Sequence, residues 1–429
     1  MKLHVTKFLP YTTCLVVVLA LGLLDVLESI HTEAIVFLGF LTVLYVVKDY
    51  RYYQKRISGT ILLMLSFFIY ILGYQFLGIS SAGYDRVAIY LCWMIISLAG
   101  IVVIKGLTSK EKMKLLYIVY ILTMIGTTYV AVNGYAYVSR GEFMPTSETS
   151  TVHGTMIMLF GGICFFWLLH DNSLLNKILA FIGVGLSIFA AIFIMQRGIT
   201  LVLMPIMFGG IILFNAKRKR KVYFLVSTLL VAVLFLYYSE AFLTLLDYIA
   251  FNIPSERLFK RILQIKYLLI YGADATETHG LSGRLPLLQI SIKTWTSSVF
   301  SLFFGVGDHR DNYLLIGNHS EFVDSFARFG LVGAGLLWGI VYQQYKFFIV
   351  KEFKETNTVY FMQASVIFLI LILRGMMGTI LNFKVGIQMY IFLPLVLNLL
   401  TSMCIKKDVN IHGNELDKDT VRQSSTYKW

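Results

Sequence analysis

The chain has 429 residues and a net charge of +13; 57% of its residues are hydrophobic, 14% are charged and the mean hydropathy is +0.73. A water-soluble globular protein is about half apolar and about a quarter charged, so the composition excludes that class and predicts an all-α, polytopic membrane protein. The basic residues lie mostly in short loops between apolar segments, so the charge implies no nucleic-acid partner. The cysteines have neither disulfide nor zinc-type spacing and are expected to be packing residues: Cys14, Cys92, Cys164 and Cys404.

Apolar segments long enough to cross a bilayer recur along the chain, and they predict about twelve transmembrane helices. The first segment ends at Asp25 without a small-residue cleavage site, so we expect it to be retained. The chain divides into an N-terminal membrane domain (1–238, about nine spans), a large loop (239–325), C-terminal spans (326–404) and a tail (405–429). The predicted spans are 8–24, 33–47, 57–79, 87–104, 115–138, 152–169, 178–195, 199–214, 222–238, 326–349, 359–374 and 385–404.

Lysine and arginine are concentrated in alternate loops, which indicates the orientation of the spans. By the positive-inside rule the basic side is cytoplasmic, so both termini are predicted to be cytoplasmic and the loop 239–325 extracytoplasmic. The basic loops lie around 48–56, 105–114, 177, 217–221, 351–354 and 406–407. The other loops predicted on the extracytoplasmic side are 25–32, 80–86, 139–151, 196–198 and 375–384.

The long loop is predicted to carry helices of its own, because a structureless connection of that length is unusual. Apolar residues recur at helical spacing over 254–271, with basic residues largely off that stripe, which is typical of a helix lying at the membrane surface. A second helix is predicted from Arg284 to Trp295, with Pro286 near its first turn. The segment 305–307, Gly-Val-Gly, should then break the chain.

The start of the tenth predicted span is the strongest candidate for chemistry. Asn318 followed by Glu321 predicts a helix cap with its capping-box partner, which would put His319 in the first helical turn. There the positive end of the helix dipole disfavours imidazolium, so the ring stays neutral and able to accept a proton. Asp324 and Arg328, four residues apart, could pair on one face. The alternative is a plain helix cap with a histidine at the interface.

Three arginines are predicted at the extracytoplasmic edge of the membrane: Arg197 in the turn after the seventh span, Arg284 at the start of the second loop helix, and Arg374 before Gly375. Guanidinium groups bind a diphosphate by bidentate hydrogen bonds, while a neutral imidazole such as His319 can take a proton from an attacking hydroxyl. The alternative is that each arginine is an anchor in the headgroup region or a solvated charge.

Four motifs over residues 190–345 resemble those of the Wzy-type polysaccharide polymerases and O-antigen ligases. They are Arg197-Gly198, Gly283-Arg284 with Trp295, Gly305-Val306-Gly307, and His319-Ser320-Glu321-Phe322 running into 329–333. Ser320 departs from the family, which often has asparagine at that position, and the N-terminal half matches only in topology.

The resemblance implies a fold like that of GT-C glycosyltransferases and a metal-independent, cofactor-independent glycosyl transfer at the bacterial cytoplasmic membrane. A glycan would leave its polyprenyl diphosphate carrier for a hydroxyl of a lipid-linked repeat unit or, in the ligase version, of lipid A-core. His319 would be the base, with Glu321 and Asp324 as further catalytic candidates, and Arg197, Arg284 and Arg374 would bind substrate. A chain-length regulator and a flippase would be further protein partners.

The sequence disfavours both a transporter of lipid-linked sugars and a metal-dependent site. A transporter or flippase of lipid-linked sugars should carry charges in mid-span, whereas the charged candidates here gather at the rim of the membrane. A metal site at 308–311, Asp-His-Arg-Asp, is disfavoured by the basic residue beside the carboxylates and the lack of further ligands.

Overall fold

The computed structural model describes residues 13–20, 23, 35–44, 50–76, 84–139, 149–191, 198–215, 243–244, 247–248, 251–252, 259, 263, 266, 284–307, 315–318, 320–351 and 357–401. For some of these, including Arg284, only the backbone is described. Within this part of the chain the regular structure is helical throughout and contains no strand.

Eleven helices are labelled here in chain order. They are α1 (Tyr50–Phe76), α2 (Tyr84–Gly106), α3 (Ser109–Ser139), α4 (Thr149–His170), α5 (Leu174–Ala190), α6 (Gly198–Asn215), α7 (Arg284–Trp295), α8 (Val299–Phe304), α9 (Glu321–Tyr345), α10 (Thr358–Gly375) and α11 (Phe383–Ile387). A π-turn, Lys346–Val350, follows α9, and another, Gln388–Phe392, continues α11 into a helix that runs on to Thr401. The predicted helix over Arg284–Trp295 is confirmed.

Among the residues that the structure describes, six helical segments are long and apolar enough to cross a membrane. They overlap predicted spans four, five, six, ten, eleven and twelve: Ile89–Gly106, Ser109–Val132, His153–His170, Glu321–Val350, Thr358–Gly375 and Phe383–Thr401. Four shorter apolar helices overlap further predicted spans: Ile35–Leu44, Gly59–Tyr74, Leu174–Ala190 and Val202–Phe214. The predicted span 222–238 and most of the predicted surface helix 254–271 lie outside the described residues.

The segment Phe383–Thr401 is the central helix of the bundle, since 94% of it is buried. It packs against α2 and α4, with the Trp93 and Tyr390 rings edge to face at 5.8 Å. The outer helices instead expose large apolar side chains, including Leu62, Ile69 and Phe181. Such apolar surface is typical of helices that face lipid.

A kink in α9 attaches the loop helices to the bundle. Gly330 has φ 61° and ψ −170°, which interrupts the helix and favours glycine. The N–H groups of Val306 and Gly307 donate to the carbonyls of Ala327 (3.0 Å) and Arg328 (2.9 Å), just before the kink. Gly305 and Gly307 both have positive φ, as expected for the predicted Gly-Val-Gly break. The end of α8 is thereby held against the first half of α9.

The cap of α9 differs from the prediction. Ser320, rather than Asn318, is the N-cap, and its side chain accepts from the Val323 N–H at 3.2 Å. Asn318 instead has a positive φ of 55°, which asparagine tolerates better than most residues. The first helical turn, predicted to include His319, begins at Glu321 because the helix starts two residues later than expected.

Candidate functional site

Glu321 is the first residue of α9, and its carboxylate is buried where α9 meets α2. The side chain is 4% exposed, and its Oε1 accepts a 2.5 Å hydrogen bond from the Tyr90 hydroxyl. The Glu321 N–H donates to the carbonyl of Gly378, at 3.4 Å, in the turn between α10 and α11. A buried carboxylate strengthens its hydrogen bonds because the surroundings screen charge weakly. Glu321 therefore joins three parts of the bundle.

Asp324 lies one turn further along α9 and binds the loop helix α7. Its Oδ1 accepts from the Ser291 hydroxyl at 2.6 Å, and its Oδ2 accepts from the Ser320 N–H at 3.0 Å. The Ser291 Oγ in turn accepts from the Gly317 N–H at 2.8 Å. Both carboxylate oxygens thus have structural partners, so Asp324 holds the segment before α9 against α7.

Arg328 does not pair with Asp324, contrary to the expectation from their spacing. Its Nη2 donates to the Asn318 Oδ1, and the side chain is 2% exposed. Because Ser291 and Ser320 already occupy the Asp324 oxygens, the guanidinium turns toward the residue that precedes His319. A buried charge on α9 therefore orients the segment on which the predicted base lies.

Arg374 is at the end of α10, with a fully buried side chain (0% exposed). Its Nη1 donates to the carbonyl of Met377 at 3.0 Å. The carbonyl of the next residue, Gly378, accepts a hydrogen bond from the Glu321 N–H. The turn 376–382 therefore contacts both Arg374 and Glu321. Arg374 thus lies at the same end of the bundle as Glu321.

Of the predicted site residues, the structure places Glu321, Asp324 and Arg374 at the same end of the bundle. His319 and Arg197 lie outside the described residues, as does the segment 308–311. Arg284 is the first residue of α7, about two helical turns before Ser291, and only its backbone is described.

Sequence reasoning missed three residues at this end of the bundle. Tyr90 binds Glu321, and Lys384 Nζ lies 2.7 Å from His153 Nε2 with both side chains buried. Lys384 could have been identified from the sequence. It is the second residue of α11 and lies on the side of the membrane that the positive-inside rule predicts to be poor in lysine. Tyr90 and His153 carried no comparable signal, because each partner is 231 residues away.

The arrangement combines a buried carboxylate, Glu321, with a buried guanidinium, Arg374, at one end of a membrane-type bundle. A carboxylate of this kind can accept a proton, and a guanidinium can stabilise an anion. Among the residues that the structure describes, no three His, Cys, Asp or Glu side chains group closely enough to hold a metal ion. No protein-family model matches the chain, and no curated protein matches it.

Proposed function

We propose that this chain is a metal-independent glycosyltransferase of the polymerase kind, with about twelve spans and a GT-C-like fold in a bacterial cytoplasmic membrane. One observation carries the proposal: Glu321 and Arg374 are both buried beside the turn 376–382 at one end of the bundle. That end is the one at which the positive-inside rule predicts an extracytoplasmic face.

In the proposed reaction, the acceptor hydroxyl of a lipid-linked repeat unit attacks the anomeric carbon of the growing glycan. The bond from that carbon to the phosphate oxygen breaks, and polyprenyl diphosphate leaves. The proton of the hydroxyl goes to a base, for which His319 is the first candidate and Glu321 the second. Arg374, together with Arg197 and Arg284, would neutralise the negative charge that develops on the leaving diphosphate.

The rim position of the charges favours transfer chemistry over transport. A transporter of lipid-linked sugars needs polar groups along a path through the bilayer centre. Among the buried ionisable side chains that the structure describes at this end, Glu321, Arg374 and Lys384 are at helix starts or ends. The ligase version of the reaction differs only in its acceptor.

The test is glycan transfer by the purified protein in nanodiscs that contain polyprenyl-diphosphate-linked repeat units, without added metal and with EDTA. We expect a ladder of longer lipid-linked glycans on a gel. In cells, deletion of the gene should remove the long surface glycans and leave single repeats. Transfer to lipid A-core alone would identify the ligase, and loss of activity in EDTA would contradict the metal-independent mechanism.

The proposed orientation has its own test in intact cells. A cysteine placed at Lys110 or Lys219 should resist a membrane-impermeant thiol reagent, because both loops are predicted to be cytoplasmic. A cysteine at Glu277, in the long loop, should react. Labelling at Lys219 would reverse the orientation and with it the proposed position of the site.

A further inference from the structure

Lys384 and His153 form a second buried ionisable pair at the same end of the bundle as Glu321. The Lys384 Nζ and the His153 Nε2 are 2.7 Å apart, and the side chains are only 8% and 6% exposed. His153 is in the first turns of α4, and Lys384 is the second residue of α11. The turn that begins beside Arg374 ends at Asn382, directly before α11.

Asn382 places a hydrogen-bond donor over the N-terminus of α11. Its Oδ1 accepts from the Val385 N–H at 3.0 Å, which fixes the side-chain amide above the first helical turn. The Nδ2 on the same amide is buried and has no hydrogen-bond partner among the described residues, and Asn382 is 6% exposed. A buried N–H without an acceptor is unfavourable, so this position calls for an acceptor that the described part of the chain does not supply there.

The charge at this position favours an anion. The start of a helix carries a partial positive charge, and the long helix that begins at Phe383 continues to Thr401. Side chains of a helix tilt toward its N-terminus, so the Lys384 ammonium adds its charge at that end. His153 holds the ammonium there through the 2.7 Å contact. We propose that Asn382, Lys384 and His153 bind a phosphate group at the N-terminus of α11.

The chemical class of the ligand follows from the reaction proposed above, and this step rests on that function. A polymerase joins two lipid-linked glycans, so it must hold two diphosphates at once. Arg374 is at one end of the turn 376–382 and the Lys384 site is at the other. We assign the diphosphate of the donor to the Arg374 end and the diphosphate of the acceptor lipid to the Lys384 end.

The site is tested by calorimetric titration of the full-length protein in nanodiscs with inorganic pyrophosphate. Lys384→Met removes the charge but keeps the length of the side chain. Asn382→Asp keeps a helix-capping oxygen but replaces the Nδ2 donor with a negative oxygen. Each variant should lose one bound pyrophosphate relative to the wild type, or weaken its binding by about tenfold or more. Lys346→Met, an exposed lysine beyond the far end of α9, should not change binding.

If Asn382→Asp binds pyrophosphate with the stoichiometry and affinity of the wild type, the proposed phosphate site is wrong. If Lys384→Met does not fold, the result for Asn382→Asp alone decides the test. A wild-type protein that binds no pyrophosphate would overturn the proposed site as well. These outcomes do not depend on transfer, so a protein that binds pyrophosphate but transfers no glycan would refute the proposed function and leave the phosphate site standing.

The source of the phosphate is tested by kinetics with separate donor and acceptor lipids. For Asn382→Asp we expect KM for the acceptor lipid to rise about tenfold, with KM for the donor unchanged. If pyrophosphate binding is lost but the acceptor KM is unchanged, the site binds free phosphate or pyrophosphate, and its assignment to the acceptor lipid is wrong.

Discussion

The two ends of the helix bundle both bury carboxylates, but they hold them in different ways. At one end, Asp171 follows α4 and accepts hydrogen bonds from Trp167 Nε1 (2.7 Å), Asn176 Nδ2 (2.8 Å) and the Ser173 N–H (2.7 Å). All three donors are within five residues of Asp171 along the chain. At the other end, Glu321 is bound by Tyr90, 231 residues away.

This contrast separates a structural carboxylate from a functional candidate. The local donors around Asp171 close the turn between α4 and α5 whenever that short segment forms, so they are explained by secondary structure alone. Glu321 gains its partner only when α2, α9 and the turn 376–382 come together in the folded bundle. A buried carboxylate whose contacts depend on the whole fold, at the same end of the bundle as a buried arginine, is an arrangement expected of an active site. Substitutions at the two ends should therefore differ in their effect on glycan transfer.

The largest expected effect is at His319 and Glu321. His319→Gln keeps hydrogen bonding but cannot accept the proton, and a positioned base contributes about 10² to 10⁴ in rate, so transfer should be nearly abolished. Glu321→Gln removes the carboxylate and should also lower transfer severely. The measurement is the rate of chain extension by purified protein supplied with lipid-linked repeats.

Glu111→Gln is the matched control, because Glu111 is at the opposite end and, among the described residues, its carboxylate accepts hydrogen bonds only from the neighbouring Thr108. It should extend chains at the wild-type rate. Chain extension at that rate by His319→Gln would remove the base role from the histidine and leave it to Glu321. If Glu321→Gln also extended chains at the wild-type rate, the end of the bundle that contains Glu321 would have no more role in catalysis than the end that contains Asp171.

The second prediction concerns the arginines. Arg374→Lys keeps the charge but loses the planar fork, and the same change at Arg197 and Arg284 tests the other two candidates. Each variant should lose activity by about 10- to 100-fold, the cost of one charge-assisted hydrogen bond in the transition state. The rate of transfer, normalised to inserted protein, is the measurement. Full activity of Arg197→Lys or Arg284→Lys would return that residue to the role of a headgroup anchor.

The difference between local contacts and long-range contacts also explains which features could be predicted from the sequence. Apolar periodicity located the helices, and the loop helix Arg284–Trp295 was predicted with its observed bounds, because these signals are local. Glu321, Asp324 and Arg374 were named as candidates from their positions at predicted helix ends. The partner of Glu321, Tyr90, was not predictable, because pairing across 231 residues depends on how the helices pack.

The errors at the start of α9 have the same cause. Asn318 and Ser320 are both good N-cap residues, so sequence alone could not choose between them. The choice is made by tertiary contacts: Asp324 accepts from the Ser320 N–H, and Arg328 binds the Asn318 side chain. Those contacts in turn depend on α7, whose Ser291 binds the other Asp324 oxygen.

The third prediction is a smaller effect at Tyr90. Tyr90→Phe removes the hydroxyl that binds Glu321 but keeps the ring, which packs edge to face with Phe67 and Phe329. A loss of one hydrogen bond of this kind should lower the transfer rate by about 3- to 10-fold.

Tyr120→Phe is the matched control for Tyr90→Phe, since its hydroxyl binds the backbone carbonyl of Leu179, between α3 and α5. It should leave the transfer rate unchanged. Equal losses in the two variants would mean that Tyr90 supports only the packing of the bundle.

The smallest expected effect on activity is at the opposite end of the molecule. Asp171→Asn replaces one acceptor oxygen with an NH₂ group, which must face one of the donors from Trp167, Ser173 or Asn176. Asp171 is buried, so each hydrogen bond lost should cost about 1.5 to 3 kcal/mol of stability. Thermal unfolding in detergent should therefore occur at a lower temperature than in the wild type. The transfer rate per folded molecule should not change, because none of these groups is near Glu321 or Arg374. A variant that kept its stability but lost transfer would show that the site extends through the bundle to both ends, and the distinction between a structural and a functional end would fail.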